Sequence, residues 1–262
     1  MRSLSIAATG MLAQQLNVDV ISNNIANLST TGFKRQRAEF QDLIYQNIQR
    51  SGTTSSDNGN IVPTGIQIGT GVKPGAIYRI HQQGNVVQTG NELDLAIQGK
   101  GYFQVQLPSG DPAYMRAGAL QINNQGQVVT AQGYIISPNI TIPSDAVSVS
   151  VNQNGEVRVK FSNQSAEQLV GQFDLVNFQN EAGLQALGDN LYQETDASGS
   201  PLTSTAGQPG YGTVLQGYLE TSNVDVVTEL TTLITAQRSY EMNSKIISTS
   251  DEMLRTVSQL SA

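Results

Sequence analysis

Residues 1–30 read MRSLSIAATGMLAQQLNVDVISNNIANLST, and their apolar spacing governs how the remaining chain is read. Taken in sevens, Leu4, Met11, Val18 and Ile25 share one position, while Ala7, Gln14, Ile21 and Leu28 share another; only Gln14 among them is polar. Such alternating 3–4 spacing lays a continuous stripe along a helix for a second helix to meet. The opposite face is polar but almost uncharged, because Asp19 is the lone charged side chain between Arg2 and Lys34. A solvated helix face usually carries Lys and Glu. Amides and hydroxyls instead pair with neighbours without the desolvation cost of a charge. The stretch reads as an assembly helix.

The other end of the chain answers it. Val226, Leu233, Tyr240, Ile247 and Leu254 recur every seven residues, and Leu230, Ile246, Met253, Val257 and Leu260 widen or shift that stripe. Thr221, Ser222 and Asn223 offer start caps for this second helix. At 1.5 Å rise per residue the two segments span roughly 40 to 55 Å each. The economical arrangement is an antiparallel, coiled-coil-like pair of chain ends whose remaining apolar surface is covered by other subunits. Packing of both helices on the chain's own core would satisfy the same periodicity, and the pattern leaves both open.

Of the 262 residues 38% are hydrophobic and 13% charged, the latter about half the ~25% of an ordinary globular domain. Ser, Thr, Asn, Gln and 25 Gly fill the difference, a mixture common in β-rich, extended or self-assembling chains. The net charge of −7 argues against a nucleic-acid partner. The absence of Cys excludes disulfide staples, thiolate nucleophiles and Cys-ligated metals. No run approaches the ~20 apolar residues of a membrane helix, so membrane insertion is not expected. The start has one basic residue, a Gly inside its apolar part and no convincing cleavage site, so export would use a route without a cleaved signal peptide.

After the first helix, Ser29-Thr30-Thr31-Gly32 is a stop signal, with Gly32 suited to a left-handed cap. Lys34, Arg35 and Arg37 form a small basic knot that reads as a solvated turn. Arg37 to Ile48 fits a short helix or an extended stretch. Residues 50–75 are rich in Gly, Ser and Thr, yet Ile61, Val62, Ile66 and Ile68 argue against a flexible tether, and residues 45–75 read as a stiffening strut between subunits. From Ala76 to about Thr221 the pattern is short strand and turn: Leu93–Ile97, Tyr102–Leu107, Gln127–Val129, Tyr134–Ile136, Val147–Val151, Val157–Phe161 and Leu169–Phe178. Asn154-Gly155 is a strong hairpin signal. The spacing predicts an all-β domain of sandwich or barrel type. The fold class is α+β: an N-terminal helix over 1–30, an extended linker over 31–75, an inserted β domain over 76–222 and a C-terminal helix over 223–262.

Little of this is chemistry. His81 is the one histidine and sits beside Gln82-Gln83-Gly84, where a surface turn explains it better than a general base. Glu92 and Asp94 lie two apart in a strand pattern and would share a face, which suits acid–base work on a glycan; Asp94 is better read as half-buried and bonded to backbone amides at a turn. Gly69-Thr70-Gly71 and Gly99-Lys100-Gly101 do not continue as phosphate-binding loops. No catalytic, cofactor or metal site is assigned.

Three motifs carry a resemblance. Ser22-Asn23-Asn24-Ile25-Ala26-Asn27-Leu28-Ser29-Thr30-Thr31-Gly32-Phe33-Lys34 resembles the N-terminal signature of bacterial flagellar rod and hook proteins, with Ser22 replacing the usual Ala. Glu220-Thr221-Ser222-Asn223-Val224-Asp225 resembles the second signature, which leads into the terminal helix. Gly84-Asn85, Thr89-Gly90, Leu93–Ile97 and Gly99–Phe103 resemble the family's β-domain hallmark, and residues 41–46 and 63–72 are similar to its distal-rod members. The resemblance implies a non-enzymatic structural subunit of the periplasm-spanning rod, without cofactor, exported by the flagellar type III apparatus. It implies a helical homo-oligomer inside the P and L rings, with proximal rod proteins at one end and hook protein at the other. Interface residues would be Leu4, Met11, Val18, Ile21, Ile25, Leu28, Val226, Leu230, Leu233, Tyr240, Ile247 and Leu254. A proximal rod or hook protein, and a secreted glycan-binding or glycan-cleaving β protein using Glu92 and Asp94, are the competing expectations.

Overall fold

The computed structural model describes residues 2–49, 64–162 and 166–260. It is α+β, with helix α1 (Arg2–Ala26), helix α2 (Val226–Leu260) and short strands between them. The chain divides into two compact units. One comprises residues 1–25, 36–78 and 226–262, and the other residues 26–35 and 79–225.

In the helical unit, α2 runs 35 residues without Gly or Pro. Many of its hydroxyls bond back onto the helix. Thr231 donates to the Val227 carbonyl, Thr235 to Thr231, Ser239 to Thr235 and Thr249 to Lys245, all at 2.8–2.9 Å. Each of these hydroxyls thus has a partner within its own helix. The chain between the helices forms a two-stranded ribbon. Gln36–Asp42 pairs with Val72–Arg79, and Tyr45–Gln49 with Ile66–Gly69. The two ladders are joined where the Leu43 N–H donates to the Gly71 carbonyl at 2.9 Å. The helix considered for Arg37–Ile48 does not form, because Arg37, Ala38, Glu39 and Phe40 alternate between exposed and half-buried with the period of a strand. Ile61, Val62 and Pro63 lie outside the described residues.

The β unit is built on a seven-stranded antiparallel sheet, ordered Gln185–Gly188, Leu191–Gln193, Pro112–Met115, Phe103–Gln106, Ile135–Ser137, Val128–Thr130, Leu120–Ile122. A three-stranded sheet of Ala146–Val151, Glu156–Phe161 and Gln168–Gln172 accompanies it, with three two-stranded ribbons. Inward positions alternate as the pleat requires: Phe103 and Val105, then Val157 and Val159, are buried around Leu95, Ile97, Ile136 and Leu175. Two turns repeat one design. Asn123 accepts the N–H groups of Gln125 and Gln127 on its side-chain oxygen and donates its amide to Gln127; Asn152 does the same with Asn154 and Glu156. These side chains replace backbone partners that a tight turn leaves unmade. The Gly-, Ser- and Pro-rich segment 196–213 buries Ser198 and Ala206 and supplies the strand Leu202–Thr205, paired with Asp174–Asn177.

Candidate assembly surface

Three contacts bring α1 and α2 together in opposite chain senses. Ser250 meets Ser3 through their hydroxyls at 3.4 Å, Gly10 faces Asn243, and Asn24 donates to the Glu229 carboxylate at 3.2 Å. A Cβ at Gly10 would lie 2.8 Å from the Asn243 amide nitrogen, so the Asn243 side chain would have to move to admit one. Ser3, Gly10 and Asn24 are spaced by sevens and fourteens, as are Ser250, Asn243 and Glu229, with Ala236 buried in the same series. The seam is thus made of small and polar residues. Asn24 also donates to the Gln36 carbonyl at 2.9 Å and accepts the Gln36 N–H at 2.8 Å, tying the start of the ribbon to the same point.

On α1 Val20 and Ile21 are buried beside this seam, but most of the large apolar side chains of α2 lie outside it. Among the described residues of α1 and α2, the buried apolar ones are Ala7, Ala13, Val20, Ile21 and Ala236. Of the expected interface residues, Ile21 is buried; Leu4, Met11, Val18, Ile25, Leu28, Leu233 and Ile247 are half-buried; Val226, Leu230, Tyr240 and Leu254 are exposed. The heptad reading passed over Leu12, Val227, Ile234 and Met242, which are all exposed, Val227 at 74%. At about 100° per residue, Val227, Leu230 and Ile234 form one stripe on α2, and Met242, Ile246, Met253 and Val257 form a second, rotated by roughly a third of a turn. The Leu260 side chain lies outside the described residues.

The two signature motifs account for much of the β unit's polar interior. Lys34 and Glu220 are 2% and 1% exposed and pair at 2.7 Å, while Arg116 Nε meets the other Glu220 oxygen at 2.6 Å. Lys34 also donates to the Gln82 carbonyl, and Arg116 to the carbonyls of Ile97, Gly99 and Gly101. Burial works to raise the Glu220 carboxyl, but Arg116 and Lys34 outweigh it and hold the group below its ordinary value. The basic knot is therefore no solvated turn, at least at Lys34. Gly32 is left-handed (φ +69°) but lies beyond the helix end at Ala26, and a Cβ there would sit 2.8 Å from the Ala117 nitrogen. Its role is close backbone approach, with its N–H donating to the Glu220 carbonyl at 2.9 Å. Asn223 accepts the Arg35 N–H at 2.7 Å and donates to the carbonyls of Ile80 and Gln82. Ser222 and Val224 are buried, and the Ser222 hydroxyl accepts the Val224 N–H at 3.3 Å. Phe33 and Asn27 are half-buried, Asn23 and Ala26 exposed.

His81 is not a surface residue. Its side chain is 9% exposed, its Nδ1 is hydrogen-bonded to the Tyr102 hydroxyl at 2.6 Å, and Glu181 stands 3.7 Å away. Burial, then Lys34, Arg79 and Arg116, push its pKa from 6.5 down to about 4. Asp94 is buried as expected, but accepts from the side chains of Thr89 (2.6 Å) and Asn91 (3.1 Å) in place of backbone amides. Glu92 lies in a turn and accepts the Val149 N–H at 3.2 Å. Both carboxylates are thus engaged in structural bonds within the β unit. No helix among the described residues is long and apolar enough to cross a membrane.

Three family models match along the chain: a flagella basal body rod protein model over residues 4–34, a flagellar hook protein FlgE/F/G D1 domain over 96–159, and a flagellar basal body rod FlgEFG C-terminal model over 215–260. They define the class as the rod and hook proteins of the bacterial flagellum. The flagellar basal-body rod protein FlgG of Caulobacter vibrioides is 59% identical over 260 residues, and that of Agrobacterium fabrum 52% over 259, each match covering 99% of both chains. A flagellar hook protein, FlgE2 of Helicobacter pylori, overlays 63% of this chain and 47% of its own at 15% identity and a TM-score of 0.24, too low to bear weight. The chain belongs to the FlgG family of flagellar basal-body rod proteins, and it is a structural subunit of that rod.

Proposed function

We propose that the chain is the subunit of the distal rod, stacking helically into a hollow, rigid shaft that carries torque from motor to hook. The observation that supports this most is the inverted character of the helix pair. Small and polar residues meet within the chain, while Val227, Leu230, Ile234, Met242, Ile246, Met253 and Val257 are left exposed. Fully burying such a side chain gains about 1.5–3 kcal/mol. Neighbouring copies that cover several of them offset the cost of association, about 4 kcal/mol or more. The terminal helices then form a coiled-coil-like polymerising domain, the β unit is the insertion between them, and residues 45–75 act as a stiffening strut between subunits. The subunit has no enzymatic role. Its partners are further copies of itself, proximal rod proteins and hook protein at its ends, and the P and L rings around it, within the periplasm after type III export.

The test is truncation. Removing residues 1–25 or 226–262 should leave a soluble, folded β unit that cannot polymerise; the first cut stops at Ile25 because 26–35 belong to the β unit. Normal polymerisation of either truncation would overturn the assignment.

A further inference from the structure

The strand Ala146–Val151 pairs with Glu156–Phe161 on one side only. On its other edge the outward-pointing groups of Val149 and Val151 meet side chains in place of a strand. Gln216 Oε1 accepts the Val151 N–H at 2.9 Å, and Gln216 Nε2 donates to the Val149 carbonyl at 2.7 Å. The Val149 N–H is taken by the Glu92 carboxylate at 3.2 Å, and Gln216 Nε2 is held by the Glu92 carbonyl at 2.8 Å. One primary amide thus presents the acceptor and the donor that a peptide group of a further strand would supply. Its placement has a simple origin. The strand Thr213–Gln216 begins against the same edge, the Val214 N–H donating to the Gln153 carbonyl at 3.0 Å, but its backbone pairs with Leu95–Gln98. The side chain of its last residue bridges the gap that opens.

Beyond the amide the edge is open. Val147 is 67% exposed and lines, with Ile122, Asn124 and Pro143, a groove of about 570 Å³. The edge reads Val147-Ser148-Val149-Ser150-Val151, the same in both directions. An antiparallel second copy would set Val against Val and Ser against Ser along the whole edge. A short, uncharged, Pro-free segment rich in β-branched residues is what strand addition selects. We infer that Gln216, steadied by Glu92, is a surrogate strand that withholds this edge from a second copy of the chain. The device is independent of the helix-mediated assembly proposed above.

The experiment compares the full chain, Gln216→Leu, and Gln216→Leu with Val147→Lys at one concentration, by thioflavin fluorescence, sedimentation and thermal melting. Gln216→Leu should raise thioflavin-positive, sedimenting material several-fold, and the lysine on the edge should return it to the parent level without restoring the melting temperature. Rods joined through helices give no such signal, so failure here is separable from failure of the rod reading. A lower melting temperature with no added thioflavin signal would reduce Gln216 to a staple between strands and overturn the inference. So would association that Val147→Lys does not relieve.

Discussion

His81 and Glu220 each hold a charge state that only the folded β unit imposes, and each makes a pH prediction with a definite sign. A histidine whose folded pKa lies below its unfolded value binds protons more readily when unfolded. Its contribution is complete above about pH 6.5 and is lost as the pH falls toward 4. The shift corresponds to about 3 kcal/mol in all. Denaturation midpoints should therefore fall between pH 6.5 and 4, and His81→Gln, which can still hydrogen-bond to Tyr102, should flatten that window. Glu220, held below its ordinary value of 4.5, contributes above that pH and loses its contribution only in stronger acid, so the variant should still weaken there. Removing the charge outright is more severe. Glu220→Gln leaves Lys34 and Arg116 buried without their counter-ion, and urea unfolding should show a loss of about 3–5 kcal/mol. The exposed Arg158–Glu156 pair, at 3.0 Å, should cost no more than about 1 kcal/mol when broken. The sequence placed Lys34 in a motif but gave no sign of its burial, because its partners, the Gln82 carbonyl and the Glu220 carboxylate, lie 48 and 186 positions away. His81 was opaque for the same reason: its apolar enclosure comes from Tyr102 and Tyr192, far along the chain.

At the scale of the element, α1 and α2 were legible as helices and their interface was only half legible. Periodicity finds apolar stripes, and it found Leu230, Ile246, Met253 and Val257. It cannot report that the intramolecular contact runs through Ser3, Gly10 and Asn24, since small and polar residues carry no hydrophobic signal. The strands Pro112–Met115, Leu191–Gln193 and Thr213–Gln216, three or four residues each, were not among those read from the sequence. The two-sided helix yields a selective prediction. Ile234→Asp and Met253→Asp, one on each exposed stripe, should block polymerisation while leaving monomer stability within about 0.5 kcal/mol of the parent, as exposed substitutions do. Leu4→Asp and Ile25→Asp, at half-buried positions, should block it too, with a larger stability cost. Circular dichroism melts beside a polymerisation assay separate these effects.

On the whole-molecule scale, the chain divides its labour between a β unit that completes its own core and a helical unit that does not. The β unit buries Leu95, Ile97, Phe103, Val105, Leu175 and Val159 together and seals its polar interior with the Lys34–Glu220–Arg116 cluster. The helical unit leaves many large apolar side chains exposed, among them Leu12, Val227, Ile234, Met242, Met253 and Val257, which a self-contained protein avoids. That asymmetry fits the proposed assembly, in which the surface left incomplete in one copy would be finished by the next. The most direct measurement is cryo-electron microscopy of the purified full-length chain at polymerising concentration. Hollow tubes in which Leu230, Ile234, Met253 and Val257 are buried against neighbouring copies are the predicted result. A monodisperse monomer that forms no tubes, with those side chains still facing water, would contradict it.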